Sequence, residues 1–149
     1  MSGLAQAWAA GIAAEHRAVF GYDLLGPRLG DATTVALART CQGAHEAQRD
    51  AATARLVAAG GTPPAPLADY PELYPVSTPQ AAKQLAVRLE QDAATAWRFA
   101  YGVAAGTRGA LSDQLRTSAQ AALTGSAVRA TQWRIVSAAP VPTVAFPGI

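Results

Sequence analysis

Apolar residues recur along the chain at the three- and four-residue steps of an amphipathic α-helix. In the first segment these steps run from Leu4 through Trp8 and Ile12. Similar stripes follow later in the chain, and glycine or proline closes the first three segments, which predicts four helices. Their expected bounds are about 4–25, 31–59, 79–106 and 108–138.

Residues with capping preferences lie at the ends of these segments. Asp31 suits the N-cap of the second helix, and Thr78, which precedes a proline, suits the start of the third. Gly60 and Gly61 supply the left-handed stop that ends the second helix. The tail 140–149 contains three prolines, so we expect it to be extended and non-helical.

The connections between the predicted helices decide the topology. The turns after the first and third helices are short, so each flanking pair should be antiparallel. Residues 60–77 contain five prolines and could span about 55 Å in an extended conformation. That length exceeds the roughly 42 Å of a helix of about 28 residues. The sequence therefore predicts an all-α, ferritin-like four-helix bundle in which two antiparallel hairpins are joined by a long proline-rich crossover.

Alanine accounts for 37 of the 149 residues. It is the best helix former and makes helices thin enough to pack closely. Large apolar side chains are correspondingly few, so an isolated monomer would bury less apolar surface than most domains of this size. We therefore expect a homodimer, with the apolar tail 140–149 in a groove of its own bundle or of a partner's.

Charge and hydropathy argue against several classes of function. The net charge is only +2, and the basic residues, 11 of them arginine, are dispersed along the chain. No nucleic-acid partner is therefore expected. No run approaches the roughly 18 apolar residues of a membrane span, so a soluble chain without a membrane partner is expected. The N-terminus lacks the basic start of a secretory signal, and Cys41 is the single cysteine. These features favour a cytoplasmic protein without an internal disulfide.

Polar residues interrupt the apolar stripes near the middle of the predicted bundle. If the first turn is centred near Gly30, Glu15 and His45 stand at the same level on facing helices. Gln42 lies three residues before His45 on the same face. Di-iron carboxylate bundles use a Glu from one helix and a Glu-x-x-His from the next. This hairpin matches that half-site with one glutamate replaced by a neutral amide.

The second hairpin offers fewer metal ligands. A turn near Thr107 puts Glu90 opposite about Thr124, in a stretch without a Glu-x-x-His sequence. Too few ligands remain for a complete two-metal centre, but a single iron, manganese or zinc ion could be held. Its candidate ligands are Glu15, His45 and Glu90, with His16 and Asp92 as nearby substitutes.

A metal-free polar centre is the favoured interpretation. Arg49 lies one turn beyond His45, and Arg129 lies on the fourth helix within reach of the centre. A guanidinium among carboxylates supplies the positive charge that a metal would otherwise supply. We therefore expect an arginine-neutralised cluster rather than a metal site. Its members are Glu15, Tyr22, Gln42, His45, Arg49, Glu90 and Arg129.

Five runs of residues add a resemblance to this interpretation. They are Ala14 to Tyr22, Ala44 to Asp50, Gly60 to Pro66, Leu89 with Glu90, and Ala145 to Gly148. Together they resemble an actinobacterial ferritin-like family of unknown function, over essentially the whole chain. The resemblance implies a ferritin-like four-helix domain with incomplete metal ligands, and it brings no reaction with it.

Three functions remain open at this point. The favoured one is a non-catalytic structural or interaction module with a degenerate metal centre, without enzyme activity or cofactor. The alternative is a mononuclear or di-metal ferritin-like oxidoreductase with iron or manganese, in which Tyr22 would adjoin the ligands. The third is a protein that binds a small ligand between its helices, which needs a cavity on the order of several hundred Å³ lined by alanine and aromatic side chains. Inward-pointing Arg49 and Arg129 would favour the module, whereas outward-pointing arginines would leave room for an ion.

Overall fold

The computed structural model describes residues 3–149, and within them it contains four long α-helices and no β-strand. The helices are α1 (Gly3–Leu25), α2 (Ala32–Ala58), α3 (Pro79–Ala105) and α4 (Ala110–Val136), with short 3-10 helices at Gly26–Arg28 and Pro71–Leu73. Each helix begins and ends within two residues of its predicted bounds. The predicted all-α four-helix class is confirmed. In residues 3–149, no helix is both long and apolar enough to cross a bilayer.

The caps explain where the second and third helices begin and end. The Asp31 carboxylate accepts a hydrogen bond from the Thr34 backbone N–H at 2.9 Å. The Thr78 hydroxyl accepts one from Ala81 at 3.1 Å. Gly60 has a φ of 78°, the left-handed conformation that closes α2. These three capping predictions are confirmed.

Contacts along α1 give the directions of α2 and α3. The Trp8 indole N–H donates to the Ala52 carbonyl at 2.9 Å, whereas residues further along α1 meet earlier residues of α2. Gly11 lies against the Trp97 ring, and the later Gly21 lies against Leu89, which precedes Trp97 in the chain. Both α2 and α3 are therefore antiparallel to α1 and parallel to each other.

The parallel arrangement of α2 and α3 requires the connection between them to travel the length of the bundle. Three side chains of this crossover, Tyr70, Leu73 and Val76, are buried in the core. Arg17 on α1 also donates to the Glu72 carboxylate at 2.9 Å. The α3–α4 pair is antiparallel, so the two hairpins and the crossover have the predicted topology.

The core consists of two apolar clusters. One is built around Tyr22, Leu73 and Trp133, and the other around Trp8 and Trp97. The buried residues Glu15, His45 and Glu90 come from the stretches of α1, α2 and α3 that lie between the residues of the two clusters. The bundle thus has a polar layer at its middle.

The tail follows the outer face of the α3–α4 hairpin of its own chain. Arg134 donates to the Pro142 carbonyl at 3.5 Å, and Arg98 donates to the Gly148 carbonyl at 3.4 Å. Gly148 has a φ of 81°, and an added Cβ would lie 2.8 Å from the Ala94 carbonyl oxygen. The non-helical tail is therefore docked through its backbone.

Close approach of α1 and α3 gives a test of the packing. A Cβ added to Gly11 would lie 2.7 Å from two ring atoms of the buried Trp97. Gly11→Ala should therefore lower the free energy of unfolding by about 1 kcal/mol or more, despite the better helix propensity of alanine. Thermal or urea unfolding followed by circular dichroism measures this.

The control for this test is Gly43→Ala inside α2. An added Cβ there meets nothing within 4 Å, so this variant should be stabilised by up to about 1 kcal/mol. Equal effects of the two variants would contradict the close packing of α1 on α3.

Candidate functional site

A buried histidine connects two carboxylates at the middle of the bundle. His45 Nδ1 lies 2.6 Å from Glu15 Oε2, and His45 Nε2 lies 3.0 Å from Glu90 Oε1. All three residues have 0% exposed surface. An ionised carboxylate can only accept hydrogen bonds, so both ring nitrogens of His45 donate. The ring is therefore an imidazolium with a positive charge.

Arg129 on α4 supplies a second positive charge. Its Nε lies 3.1 Å from both carboxylate oxygens of Glu90. Its terminal NH2 group donates to the Ser126 hydroxyl at 3.1 Å. Two carboxylates thus face one imidazolium and one guanidinium, and the cluster is neutral overall. This balance matters because an unpaired buried charge costs several kcal/mol.

Aromatic side chains complete the hydrogen bonding. The Tyr22 hydroxyl donates to Glu90 Oε1 at 2.7 Å and accepts from the Trp133 indole N–H at 2.7 Å. On the other side, the Trp97 indole N–H donates to Glu15 Oε1 at 2.5 Å. An unbroken chain of hydrogen bonds therefore runs from Trp133 to Trp97 through the charged residues, and all four helices contribute to it.

The protonation states follow from these contacts. Burial alone would lower the pKa of His45, but hydrogen bonds and charges from Glu15 and Glu90 outweigh it and raise that pKa to about 9. Burial alone would raise the pKa of Glu90, but His45 and Arg129 hold it below the usual value. Burial and the negative charge of Glu90 raise the pKa of Tyr22 well above 10.0. Near neutral pH the cluster is therefore a set of ion pairs with a neutral tyrosine.

The structure brings together five of the seven residues expected in the cluster: Glu15, Tyr22, His45, Glu90 and Arg129. The other two, Gln42 and Arg49, lie outside it, which corrects the sequence interpretation. The Gln42 amide donates to Asp23 at 2.7 Å, and Arg49 Nε donates to Asp50 at 2.9 Å.

Helix geometry explains this correction. At 3.6 residues per turn, Gln42 and Arg49 lie about 60° and 40° from His45 around the helix, in the same sense. With His45 pointing to the centre, both side chains fall on the flank of the buried stripe. Shared spacing along a stripe was therefore not sufficient to place them in the core.

The two substitute ligands also lie elsewhere. His16 Nε2 lies 3.2 Å from the Pro64 carbonyl oxygen, so this residue holds the crossover. Asp92 is about half-exposed and pairs with Arg17 near the surface. Both side chains make these polar contacts away from the central carboxylates.

Three residues of the network, Trp97, Trp133 and Ser126, are not among the site residues expected from the sequence. Each of the two indole N–H groups donates to the polar layer. To predict that Trp97 donates to Glu15, one would need the register of α1 against α3. These two helices are in contact but are separated along the chain by α2 and the crossover. A tryptophan at the level of a buried carboxylate is the signal that could have indicated it.

The residues present do not fit a bound metal ion. Both ring nitrogens of His45 are already used, and the Arg129 guanidinium covers Glu90. A metal ligand must offer a lone pair, so His45 would first have to lose a proton. Among residues 3–149, no group of three or more His, Cys, Asp or Glu side chains is arranged to hold a metal ion.

An apolar cavity lies at one end of the bundle, away from the polar centre. Its volume is about 210 Å³. Trp8, Leu56 and Leu115 line it, with Gly60 and Gly61 at the end of α2. It is not walled mainly by alanine and aromatic residues, as the small-ligand hypothesis required.

Comparisons with known proteins agree with the observed fold. Residues 7–149 match the model of a family described as a domain of unknown function, DUF4439. The chain is similar to a crystal structure of a conserved hypothetical protein from Mycobacterium tuberculosis, with a TM-score of 0.80 and 34% identity. That alignment covers 91% of this chain and 99% of the other. A search of curated proteins finds no match.

The raised pKa of His45 predicts how stability depends on pH. Its stabilising effect is complete below pH 6.5, the ordinary value, and is lost as the pH rises to about 9. Over this window the free energy of unfolding should fall by about 3 kcal/mol. Glu90 acts in the opposite sense, because its lowered pKa costs stability as the pH falls below 4.5. Urea unfolding at a series of pH values measures both limbs.

The two histidines give a matched pair of variants for this measurement. His45→Gln should be less stable than the wild type and should lose the decline between pH 6.5 and 9. His16→Gln should retain that decline. If His45→Gln does not fold, ¹⁵N NMR of the wild type still decides, because a neutral His45 ring at pH 7 would sink the assignment.

Proposed function

The chain belongs to the DUF4439 family of unknown function, and we propose that it is a ferritin-like structural and interaction module whose degenerate metal centre has become an internal ion-pair cluster. The observation that carries the proposal is the position of the His45 ring, whose two nitrogens lie 2.6 Å and 3.0 Å from the carboxylates of Glu15 and Glu90. With Arg129 it supplies two positive charges where a ferritin-like enzyme would need cations. In this proposal the centre performs no reaction.

Charge balance is the first support for the proposal. Glu15 and Glu90 are fully buried and come from different helices. Each must be neutralised, because a bare carboxylate in the core is costly. His45 and Arg129 meet this need by direct hydrogen bonds. A metal ion would add charge to a cluster that is already neutral.

A structural use for the cluster is the second support. Alanine-rich helices present many similar small side chains, so apolar packing alone distinguishes poorly between neighbouring helix registers. Buried polar groups fix register in some helical assemblies, because any shift leaves charges unpaired. Here the cluster joins α1, α2, α3 and α4 at one level. We therefore assign it the role of setting the relative positions of the helices.

The oxidoreductase alternative would cost more free energy than the ion-pair cluster, because it disrupts existing contacts. Binding iron or manganese at Glu15, His45 and Glu90 would require His45 to give up the proton that both carboxylates stabilise. It would also require the Arg129 guanidinium to leave Glu90. Both changes break buried ion pairs, which is costly, so the alternative is the less favoured one.

Elemental analysis and one pair of variants test the proposal. Wild-type protein, purified without chelators or a metal-affinity tag, should contain far less than one equivalent of iron, manganese or zinc. Arg129→Ala should lower the free energy of unfolding by on the order of 3 kcal/mol, because it leaves Glu90 short of a counter-charge. Arg49→Ala is the matched control and should change stability by no more than about 1 kcal/mol.

Stoichiometric metal in the wild type would overturn the proposal, provided that it is lost in His45→Ala. Equal effects of the two arginine variants would also contradict it, because the ion partner of Arg49 within residues 3–149 is its neighbour Asp50, which is 68% exposed.

A further inference from the structure

The outer face formed by α4 and the tail exposes an unusual amount of apolar surface. Val128 on α4 is 52% exposed, and on the tail Val141 and Phe146 are 69% and 72% exposed. Ile135 and Val144 belong to the same face and are also exposed. The tail is docked through its backbone, so its apolar side chains point away from its own core. Isolated exposed apolar residues are ordinary, but a contiguous set marks an interaction surface.

A groove of about 500 Å³ runs between α4 and the tail on this face. Leu123 and Val128 line it on the helix side, and Val144 lines it on the tail side. The remaining lining residues are glutamine, threonine, alanine and proline, so none carries a charge. In the stretch of α4 from 117 to 133, the single charged residue is Arg129, which is directed to Glu90 in the core.

We propose that this α4–tail face is the interface of a homodimer, occupied by the same face of a second copy of the chain. The inference rests on the proposed function as an interaction module and identifies its partner. It places the interface on the side of the bundle that carries the tail.

The absence of charge on the groove favours a second copy as the occupant. In a two-fold interface each surface meets itself, so a charged patch would meet a patch of the same sign. A neutral face with apolar, threonine and glutamine side chains avoids this repulsion. A strongly charged partner would instead require complementary charges, which the groove lining does not offer.

The distribution of exposed apolar side chains also suits a dimer. Among residues 3–149, eleven large apolar residues are exposed, and six of them lie on the C-terminal half of α4 or on the tail. These six are Val128, Ile135, Val141, Val144, Phe146 and Ile149. A second copy seated on this face would remove them from water.

Analytical ultracentrifugation of the full chain and of surface variants tests the interface. The wild type should sediment as a species of twice the 15.3 kDa monomer mass at micromolar concentrations. Val128→Arg should raise the dimer dissociation constant by roughly 100-fold or more, since it places like charges in the interface. Val57→Arg is the control, because Val57 is 55% exposed on α2, outside the proposed face. Its dimer should be unchanged.

A second variant guards against a folding defect. Phe146→Asp changes a tail side chain that is 72% exposed, and it should also weaken the dimer while retaining the helical circular dichroism. A monomeric wild type overturns the inference, as does a dimer that withstands both Val128→Arg and Phe146→Asp. A metal-free monomer would refute the interface alone, whereas a dimer with stoichiometric metal would refute the metal-free centre alone.

Discussion

The imidazolium of His45, between the carboxylates of Glu15 and Glu90, is the interaction on which the bundle depends. It is a charge with no contact to water, and its neighbours belong to two other helices. Because the cost of an unpaired buried charge is large and its pairing needs close contact, these helices can satisfy it only at one level. Arg129 then brings α4 to the same level and balances the remaining charge. A few hydrogen bonds thus link all four helices at one level of the bundle.

The two apolar clusters and the polar layer have different roles. Each cluster stabilises one end of the bundle through buried aromatic and aliphatic side chains. Small residues let the helices approach closely, as at Gly11 and Gly21, where α1 lies against α3 with no room for another side chain. Close packing of small residues is strong but repetitive. In the proposed role, the polar layer distinguishes between helix registers that repetitive packing of small residues leaves similar.

The parts of the site that could be predicted from the sequence are those fixed by short-range helix geometry and by charge balance. The short turn before α2 fixes the α1–α2 register, so the meeting of Glu15 with His45 could be predicted from spacing. The inward direction of Arg129 followed from the need for a counter-charge. The prediction for Arg49 was wrong because a rotation of a few tens of degrees around the helix axis separates the core-facing stripe from its flank. Trp97 was missed as a donor because the α1–α3 register depends on the long crossover, which no local rule determines.

The arrangement of indole groups has an optical consequence. All three tryptophans of the chain are buried, and Trp97 and Trp133 donate to the polar layer from opposite sides. Trp8 meets the Trp97 ring with centroids 5.0 Å apart. Two of the three tryptophans therefore lie against the charged centre, and we expect their fluorescence to change when His45 loses its proton. Tryptophan fluorescence would then report the charge state of the core without an added label.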